Sequence, residues 1–402
     1  MADHPTRDDI DLIEGGFYVD DPGPKYAWMI ENAPVYYDAP NDIWGFASYA
    51  AVLGASKDPA TFSNAGGIRP NNGPIPMMID MDDPEHWKRR KLVNKGFTPG
   101  RVRASEPEIR AVADSIIDKV CEQGECDFVR DIAAPLPMIL IGDMLGVAPE
   151  DRDDLLRWSD DLVGSQSGSA TDEQFMAAMN AMTEYTTFCT HAVAARQQDP
   201  TDDLMSILVH AEIDGDRLTP DEVLHESLLI LIGGDETTRH VISGGMEQLL
   251  LHPEQRKLLV DDPSRITLAV EEMLRWVSPI KNMCRTVTHD TEFMGQSMRA
   301  GQKAMLLYES ANRDPAKFDD PFHFDVEREP NEHVAFGFGS HYCLGQALAR
   351  LELRVMFEQL LTRLPDIDLT ADPATLPRRR ANFISGLEQM PVRFSPTKPI
   401  GA

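Results

Sequence analysis

A glycine-rich segment that delivers one cysteine to the start of a helical pattern is where the residue types most clearly suggest chemistry. Residues 336–345 read FGFGSHYCLG, with the cysteine at Cys343. Glycines let a backbone approach a ligand closely, and the free N–H groups of a helix N-terminus stabilise a thiolate. A single thiolate cannot build a tetrahedral zinc site, but it can ligate iron when a macrocycle such as haem supplies the other ligands. Taken alone, a lone cysteine is more often a buried structural residue behind a turn.

A second segment places an acid and two hydroxyls beside a pair of glycines. Residues 233–238 read GGDETT within a long helical pattern. Each glycine costs a helix roughly 1 kcal/mol relative to alanine, so a compensating role is expected. The missing side chains at Gly233 and Gly234 would leave a groove for a flat cofactor and a small ligand, with Glu236 and Thr237 beside it as an acid and a hydroxyl relay. A glycine-kinked core helix with a solvated acidic turn is the alternative.

Cap and stop signals predict the elements that position these segments. Thr219-Pro220-Asp221-Glu222 combines an N-cap, a first-turn proline and a capping-box glutamate. The helix continues to His252-Pro253, a length on the order of 48 Å. Further helices are predicted at about 262–276 and 344–364, and short strands at 35–37, 43–46, 285–288, 303–308 and 392–394. The predicted fold is mainly α with small marginal β-sheets.

Length and composition describe an acidic globular chain. It has 402 residues, 42% of them hydrophobic, with 38 Lys and Arg against 66 Asp and Glu, a formal net charge of −28. Length suggests two or three domains of about 150 residues. No linker or repeat divides the chain, so we predict one domain over 1–402, with 1–20 loosely ordered. The acidity argues against nucleic-acid binding, because phosphate contacts need Lys and Arg.

The cysteines and apolar stretches predict a cytoplasmic protein. The five cysteines are irregularly spaced, which indicates a reducing compartment rather than a disulfide framework. The N-terminus lacks the apolar core of a signal peptide, and no apolar stretch approaches the roughly 18 residues of a membrane span.

Several catalytic signatures are absent or incomplete. No GxGxxG or GxxxxGK[ST] motif occurs. His225-Glu226 resembles the start of the zinc-protease motif HExxH, but Leu229 stands where the second histidine should be. Residues 164–168 resemble a nucleophile elbow, yet the central residue is Gln166 rather than serine. Neither motif therefore predicts an activity.

The spacing Phe336-x-x-Gly339-x-His341-x-Cys343-x-Gly345 resembles the haem-binding loop of the cytochrome P-450 monooxygenases. Further motifs follow in the order of that family, so the resemblance covers nearly the whole chain. It implies a single-domain cytochrome P-450 fold, with haem b between the long central helix and the cysteine loop. Cys343 is implied to be the axial ligand of the haem iron. Other implied haem contacts are Phe336, Gly337, Gly345, Gly233 and Gly234.

The resemblance also implies roles for two charged motifs. Glu236 and Thr237 match the acid–alcohol pair that delivers protons to dioxygen in this family. Glu272 and Arg275 match its Glu-x-x-Arg motif, with Arg328 as a third member. We expect these three residues to serve folding and haem seating rather than catalysis.

Haem propionates need cations or hydrogen-bond donors, because buried carboxylates are otherwise unfavourable. His86 and Arg90 match the family's His-x-x-x-Arg. Arg285 opens a predicted strand where a propionate-binding arginine is expected, and His341 lies in the cysteine loop. These four residues are the implied propionate ligands.

Residues 66–86 and 90–99 resemble the sterol-side-chain branch of the family, in particular the mycobacterial cholesterol 27-hydroxylases. That branch implies oxidation of the terminal methyl carbon of cholesterol or cholest-4-en-3-one to the alcohol and then the acid. The candidate wall residues are almost all apolar, as a hydrophobic ligand requires, although each could instead belong to the core. They are Ile75, Met77, Ile230, Gly234, Thr237, Val277, Ile280, Met283 and Phe383.

The implied reaction uses dioxygen as co-substrate and electrons from NAD(P)H, passed through a reductase and a small acidic ferredoxin. Local positive charge on an otherwise acidic, monomeric protein would suit docking of that ferredoxin near the thiolate. The residues concerned are Lys88, Arg89, Lys91, Arg350 and Arg354.

Three alternative functions stay open. A terminal hydroxylase of branched or fatty acyl chains would need a charged residue for the carboxylate, and Arg69 is the one nearby candidate. A peroxide-using haem protein needs no proton relay, so Glu236 and Thr237 weigh against it. A non-catalytic haem protein would need neither relay nor partner surface.

Overall fold

The computed structural model describes residues 4–165 and 170–401, so Gln166 of the incomplete nucleophile elbow lies outside the described residues. Within these ranges the helices are α1 Gly16–Val19, α2 Gly23–Asn32, α3 Tyr49–Ser56, α4 Glu85–Val93, α5 Pro99–Ala104, α6 Glu106–Val120, α7 Pro135–Leu145, α8 Arg152–Gly164, α9 Asp172–Gln198, α10 Leu204–His210, α11 Pro220–Leu251, α12 Pro253–Asp261, α13 Ile266–Val277, α14 Tyr308–Ala311 and α15 Gln346–Arg363. The strands are β1 Val35–Asp38, β2 Ile43–Phe46, β3 Phe62–Ser63, β4 Glu125–Asp127, β5 Glu212–Ile213, β6 Asp216–Arg217, β7 Asn282–Val287, β8 Thr291–Phe293, β9 Gln296–Met298, β10 Lys303–Leu307, β11 Asp368–Leu369 and β12 Pro391–Arg393.

The long helix α11 begins and ends where the sequence predicts. Thr219 and Glu222 form the expected capping box, and Leu251 is the last helical residue. α7, α8, α13 and α15 all pack against α11, so it passes through the helical core. The helices predicted near 262–276 and 344–364 are α13 and α15. Helix α12, which lies between α11 and α13, is missing from the sequence-based prediction. That prediction treats Pro253 only as the end of a helix, although proline is also favoured in the first turn of a new one.

The predicted strands are present, and four of them share one sheet. That five-stranded sheet has the order β1-β2-β10-β7-β3, in which β2 and β10 are parallel and the other pairs antiparallel. β12 belongs to a separate three-stranded sheet with β11 and β4. The mainly α class with small sheets is therefore confirmed.

Residues 10–19 are more closely packed than predicted. Leu12, Phe17 and Tyr18 are buried against residues of α2, β1 and β10. The Tyr18 hydroxyl donates to the Leu12 carbonyl at 2.8 Å. The expectation of loose order is wrong for residues 10–19, because apolar side chains lie among their acidic neighbours and pack into the core.

Glu272, Arg275 and Arg328 meet in the interior beside α13. Arg275 donates to both Glu272 carboxylate oxygens at 2.7 Å, and Arg328 Nε donates to Glu272 at 3.2 Å. Arg275 Nη1 also donates to the carbonyls of Asn312 and Pro321. These contacts join α13 to the chain that leads towards the cysteine loop, which suits the folding role expected of the three residues.

The five cysteines form no disulfide. Across 4–165 and 170–401, no helix combines the length and the apolar character that a membrane crossing requires. The cytoplasmic location stays a prediction.

Candidate active site

A cavity lies between the middle of α11 and the cysteine loop, residues 336–345. Its empty volume, open mouth included, is about 1410 Å³. Every residue that the sequence predicts to contact haem lines it: Cys343, His86, Arg90, Arg285, His341, Phe336, Gly337, Gly345, Gly233 and Gly234.

The cysteine loop depends on two glycines. Gly337 and Gly339 have φ of 70° and 80°, a region that disfavours other residues. A Cβ at Gly339 would also lie 2.7 Å from the Ser56 carbonyl oxygen. The Cys343 N–H donates to the Phe336 carbonyl at 2.9 Å and closes the loop. This geometry presents Cys343 to the cavity just before α15 begins.

The surroundings of the Cys343 sulfur suit a metal ligand better than a free thiol. Burial raises the pKa of the Cys343 thiol, whereas the backbone N–H groups of Gly345 and Gln346 and the charges of Arg90 and Arg350 favour the thiolate. A bound metal cation deprotonates a coordinating thiol and so removes the effect of burial.

The candidate propionate ligands form a cationic edge of the cavity. The rings of His86 and His341 stack with 3.9 Å between centroids. His86 Nδ1 lies 3.2 Å from Asp83, whereas its buried Nε2 has no hydrogen-bond partner among the described residues. Burial, together with the nearby His86, Arg285 and Arg90, lowers the pKa of His341 to about 2. A buried ring nitrogen without a hydrogen-bond partner, beside the guanidinium groups of Arg90 and Arg285, fits a pair of haem carboxylates.

The adjacent glycines Gly233 and Gly234 of α11 have different surroundings. A Cβ at Gly233 would meet no atom of the described residues within 4 Å, whereas one at Gly234 would lie 2.4 Å from Ile141 Cδ1 of α7. The predicted groove therefore opens at Gly233. Gly234 also lines the cavity, but its missing side chain allows α11 to pack closely on α7.

Only one member of the predicted acid–hydroxyl pair lies at the cavity. Thr237 lines it, and its Oγ1 donates to a carbonyl of the preceding turn at 2.7 Å. Glu236 is buried outside the lining, paired with Arg239, with Arg379 at 2.8 Å and with His240 at 3.4 Å. Burial alone would raise the pKa of Glu236, but these three residues hold it well below its usual value. The expectation that both residues flank the groove is therefore wrong for Glu236.

Glu352 of α15 is a cavity residue that sequence analysis missed. It is 3% exposed and lies beside Thr238 in the lining. Burial raises the pKa of Glu352 to about 8, although a hydrogen bond from Thr238 opposes the shift. The sequence did contain a signal, because Glu352 stands four residues from both Leu348 and Met356, within the apolar stripe of its helix.

The predicted substrate residues fall into two groups. Those that line the cavity are Ile230, Gly234, Thr237, Ile280 and Met283. Those outside the lining are Ile75, which is 40% exposed, Met77, which is buried in a core cluster, Val277, which packs on Gly244 of α11, and Phe383, which packs behind Ile280 and Met283.

Two of the four misplaced predictions, Ile75 and Met77, have a local cause. Met78 and Ile79 line the cavity instead of Ile75 and Met77, because a short 3-10 turn at Met78–Asp80 places its own first two residues in the lining. Arg69, the candidate for a substrate carboxylate, is likewise outside the lining. Its guanidinium lies 3.1 Å from the centroid of the Phe383 ring, and burial lowers the pKa of Arg69 to about 9.

The predicted positive surface carries less free charge than its residue types suggest. Arg89 pairs with Glu222 and Glu226, Arg350 with Glu271, and Arg354 with Glu106 and Glu358. Lys88 is exposed, and Lys91 has one distant acidic neighbour, Asp214, at 3.9 Å. The expectation of five cations available to a partner is therefore wrong for the three arginines.

Comparison with known proteins defines the class. A family profile described as Cytochrome P450 matches residues 266–369, which include Cys343. The chain is 36% identical to the methyl-branched lipid omega-hydroxylase of Mycobacterium bovis, over 96% of this chain and 92% of that protein. The crystal structure of CYP109E1 from Bacillus megaterium in complex with corticosterone superposes with a TM-score of 0.85 and 32% identity, over 93% of this chain and 99% of the other. The chain belongs to the cytochrome P450 family, and its cofactor is haem b.

A more similar relative is the steroid C26-monooxygenase of Mycobacterium tuberculosis. It is 57% identical to this chain over 394 residues, which are 98% of this chain and 99% of that protein. The similarity therefore covers the cavity, the cysteine loop and α11.

Proposed function

We propose that this protein is a steroid C26-monooxygenase, which hydroxylates the terminal side-chain carbon of cholesterol or cholest-4-en-3-one and oxidises it further to the acid. The observation that carries the proposal is an apolar wall facing Cys343, in a chain so similar to a steroid C26-monooxygenase. Met78, Ile79, Ile230 and Met283 of that wall offer no charged group to a ligand. Such a surface favours a neutral hydrocarbon side chain.

Haem and the residues around it have different roles in the proposed reaction. Bound haem supplies the dioxygen chemistry that inserts one oxygen atom into a C–H bond and releases the other as water. Cys343 would hold the haem iron through its thiolate, which would supply electron density to the iron. Thr237 holds a hydroxyl proton at the cavity. Glu236, ionised and outside the lining, orients this turn of α11 through its arginine partners.

An optical titration of the purified ferric haem protein tests the substrate. Cholest-4-en-3-one should shift the haem band towards the high-spin form with saturation, since it displaces water from the iron. A methyl-branched fatty acid, titrated in parallel, tests the competing acyl substrate suggested by the M. bovis relative. A shift with the fatty acid alone would replace the steroid with an acyl chain. A shift with neither would withdraw both substrates.

We also propose that a small acidic ferredoxin delivers the electrons, with the exposed lysines of α4 at its docking surface. Lys88 and Lys91 stand on the same helix as His86 and Arg90, which line the cavity. Replacing Lys88 and Lys91 by Gln should raise the KM for ferredoxin and weaken its salt dependence, because exposed charges steer association. The steroid titration should not change. An unaltered KM would place the docking surface elsewhere.

A further inference from the structure

Glu226, part of the incomplete HExxH motif, is a buried carboxylate next to the cavity wall. Its side chain is 0% exposed on the second turn of α11. Oε1 accepts hydrogen bonds from the Met78 N–H at 2.8 Å and from Arg89 Nη1 at 3.2 Å. Burial raises the pKa of Glu226 to about 7, and the two donors oppose that shift. A buried acid is unfavourable unless its contacts compensate, so these contacts point to a role.

Arg89 connects the same stretch of chain to two helices. It stands on α4, and its Nη1 also donates to the Pro76 carbonyl at 2.9 Å. Its Nη2 pairs with Glu222 of α11. Charged side chains from α4 and α11 therefore bind two backbone groups on either side of Met77, the Pro76 carbonyl and the Met78 N–H. Hydrogen bonds to charged groups are about twice as strong as neutral ones.

The stretch held in this way includes part of the cavity wall. Residues 71–76 are exposed and have no helix or strand, whereas Met78 and Ile79 line the cavity. On the other side of the turn, Asp80 Oδ2 accepts from the Ile75 N–H at 2.8 Å. No strand pairing fixes these residues, so the side chains that bind their backbone help to set their position, together with the core packing of Met77 and Met78.

We propose that Glu226 and Arg89 are positioning residues, which fix the wall at Met78 and Ile79 and thereby set the affinity for the large apolar substrate. Both lie outside the cavity lining, so they act through the wall and not by contact. The identity of the substrate rests on the proposed function, whereas the positioning role applies to any ligand that must contact this wall.

Optical titration of three variants tests the proposal. Glu226→Gln removes the carboxylate charge but keeps the shape of the side chain. Arg89→Lys keeps the positive charge but cannot make the hydrogen bonds of both guanidinium Nη atoms. The double variant Arg89→Met with Glu226→Leu fills the space without charges or hydrogen bonds. Each should weaken steroid binding by about tenfold, a loss of about 1.4 kcal/mol. Imidazole, which is small enough to bind the iron without touching the wall, should bind as in the unaltered protein.

Two controls separate positioning from general damage. Glu247→Gln makes the same change at another buried glutamate of α11, whose arginine partner is Arg378 and which lies outside the cavity lining. It should leave steroid affinity unchanged. The apolar double variant should fold at least as well as either single one, because replacing both members of a buried ion pair is often neutral or stabilising. If the double variant bound the steroid as tightly as the unaltered protein, Glu226 and Arg89 would serve only folding, and the positioning role would be rejected.

The outcomes keep the two proposals apart. Steroid binding by the unaltered protein tests the function, and the ratio of variant to unaltered affinity tests the positioning role. If the unaltered protein binds only the fatty acid, the same ratios are measured with the fatty acid. Equal losses for large ligand and imidazole, or unchanged affinity in Glu226→Gln and Arg89→Lys, would overturn the proposal.

Discussion

Near the middle of α11, the two faces of the helix differ in exposure and in charge. On the face towards the cavity, Gly233 leaves open space and Thr237 presents a hydroxyl. On the other face, Glu236, Arg239 and His240 are all buried and lie among charges from other elements. One turn of helix thus carries both an open surface for chemistry and a buried ionic cluster.

The ionic face ties α11 to its surroundings. Arg239 donates to Asp160 of α8 at 2.9 Å, and Arg379 lies 3.2 Å from the same carboxylate. Glu236 binds both arginines. Removing one member of such a cluster leaves a buried charge without compensation, which costs about 3–5 kcal/mol. The comparison teaches that this turn can present Thr237 to the cavity because its neighbours on the helix are held firmly.

The largest effect is expected at Cys343, which lies across the cavity from the open face of α11. Cys343→Ser should abolish the thiolate-type spectrum of the carbon-monoxide complex and nearly all turnover, because serine does not replace a thiolate as iron ligand. Cys126→Ser, outside the cavity lining, is the matched control and should keep both. Retention of the spectrum in Cys343→Ser would contradict the assignment of the axial ligand.

The open face itself should control turnover without affecting stability. Thr237→Ala should lower ferredoxin-driven hydroxylation by about a hundredfold, a typical contribution of positioned proton transfer. Peroxide-driven turnover should persist, and Thr237→Ser should recover much of the loss because it keeps the hydroxyl. Product yield per electron consumed is the measurement. Equal losses in both assays would mean that Thr237 acts on packing.

These faces also show what a sequence can and cannot predict. GGDETT marks the right turn of α11, but adjacent residues on a helix point about 100° apart. The motif therefore cannot say which of Glu236 and Thr237 faces the cavity until neighbouring elements set the rotation of the helix. Phe336, Gly337, His341, Cys343 and Gly345 line the cavity together, as their spacing suggests, because one short loop carries all five. Fold class followed from caps and apolar periods, which are local.

The substrate wall was harder to predict for the same physical reason. Met77 and Met78 are chemically identical, and a short 3-10 turn decides which one lines the cavity. Arg89 and Glu226 are 137 positions apart, and no local pattern connects them. Contacts of that kind depend on tertiary packing and become visible only in the fold.

The ionic face should control stability more than chemistry. Glu236→Gln should lower the free energy of unfolding by about 3 kcal/mol, because Arg239 and Arg379 lose their shared carboxylate. Turnover per folded haem protein should fall less than in Thr237→Ala. Chemical denaturation and the hydroxylation assay measure the two quantities. A loss of turnover equal to that of Thr237→Ala, with stability unchanged, would return Glu236 to the role of proton donor.

The smallest expected effect is on the pH dependence of stability, through two buried titratable residues of α11, His240 and Asp235. Burial lowers the pKa of His240 to about 4 from 6.5, and burial raises the pKa of Asp235 to about 7 from 3.8. Between pH 4 and 6.5 the unfolded chain binds a proton at His240 that the folded chain does not, so this group makes stability rise with pH. At Asp235 the folded chain keeps the proton, so this group makes stability fall with pH. Each slope is at most about 1.4 kcal/mol per pH unit.

Matched variants should therefore change the pH dependence of unfolding in opposite directions. His240→Gln should make the free energy of unfolding rise less steeply from pH 4.5 to 6.5, and Asp235→Asn should make it rise more steeply. Denaturant titrations at several pH values measure both slopes. Because the two contributions oppose each other, the unaltered protein should show only a weak dependence from this cluster. Parallel changes in the two variants would mean that this side of the helix admits water, and the contrast between the two faces of α11 would then be lost.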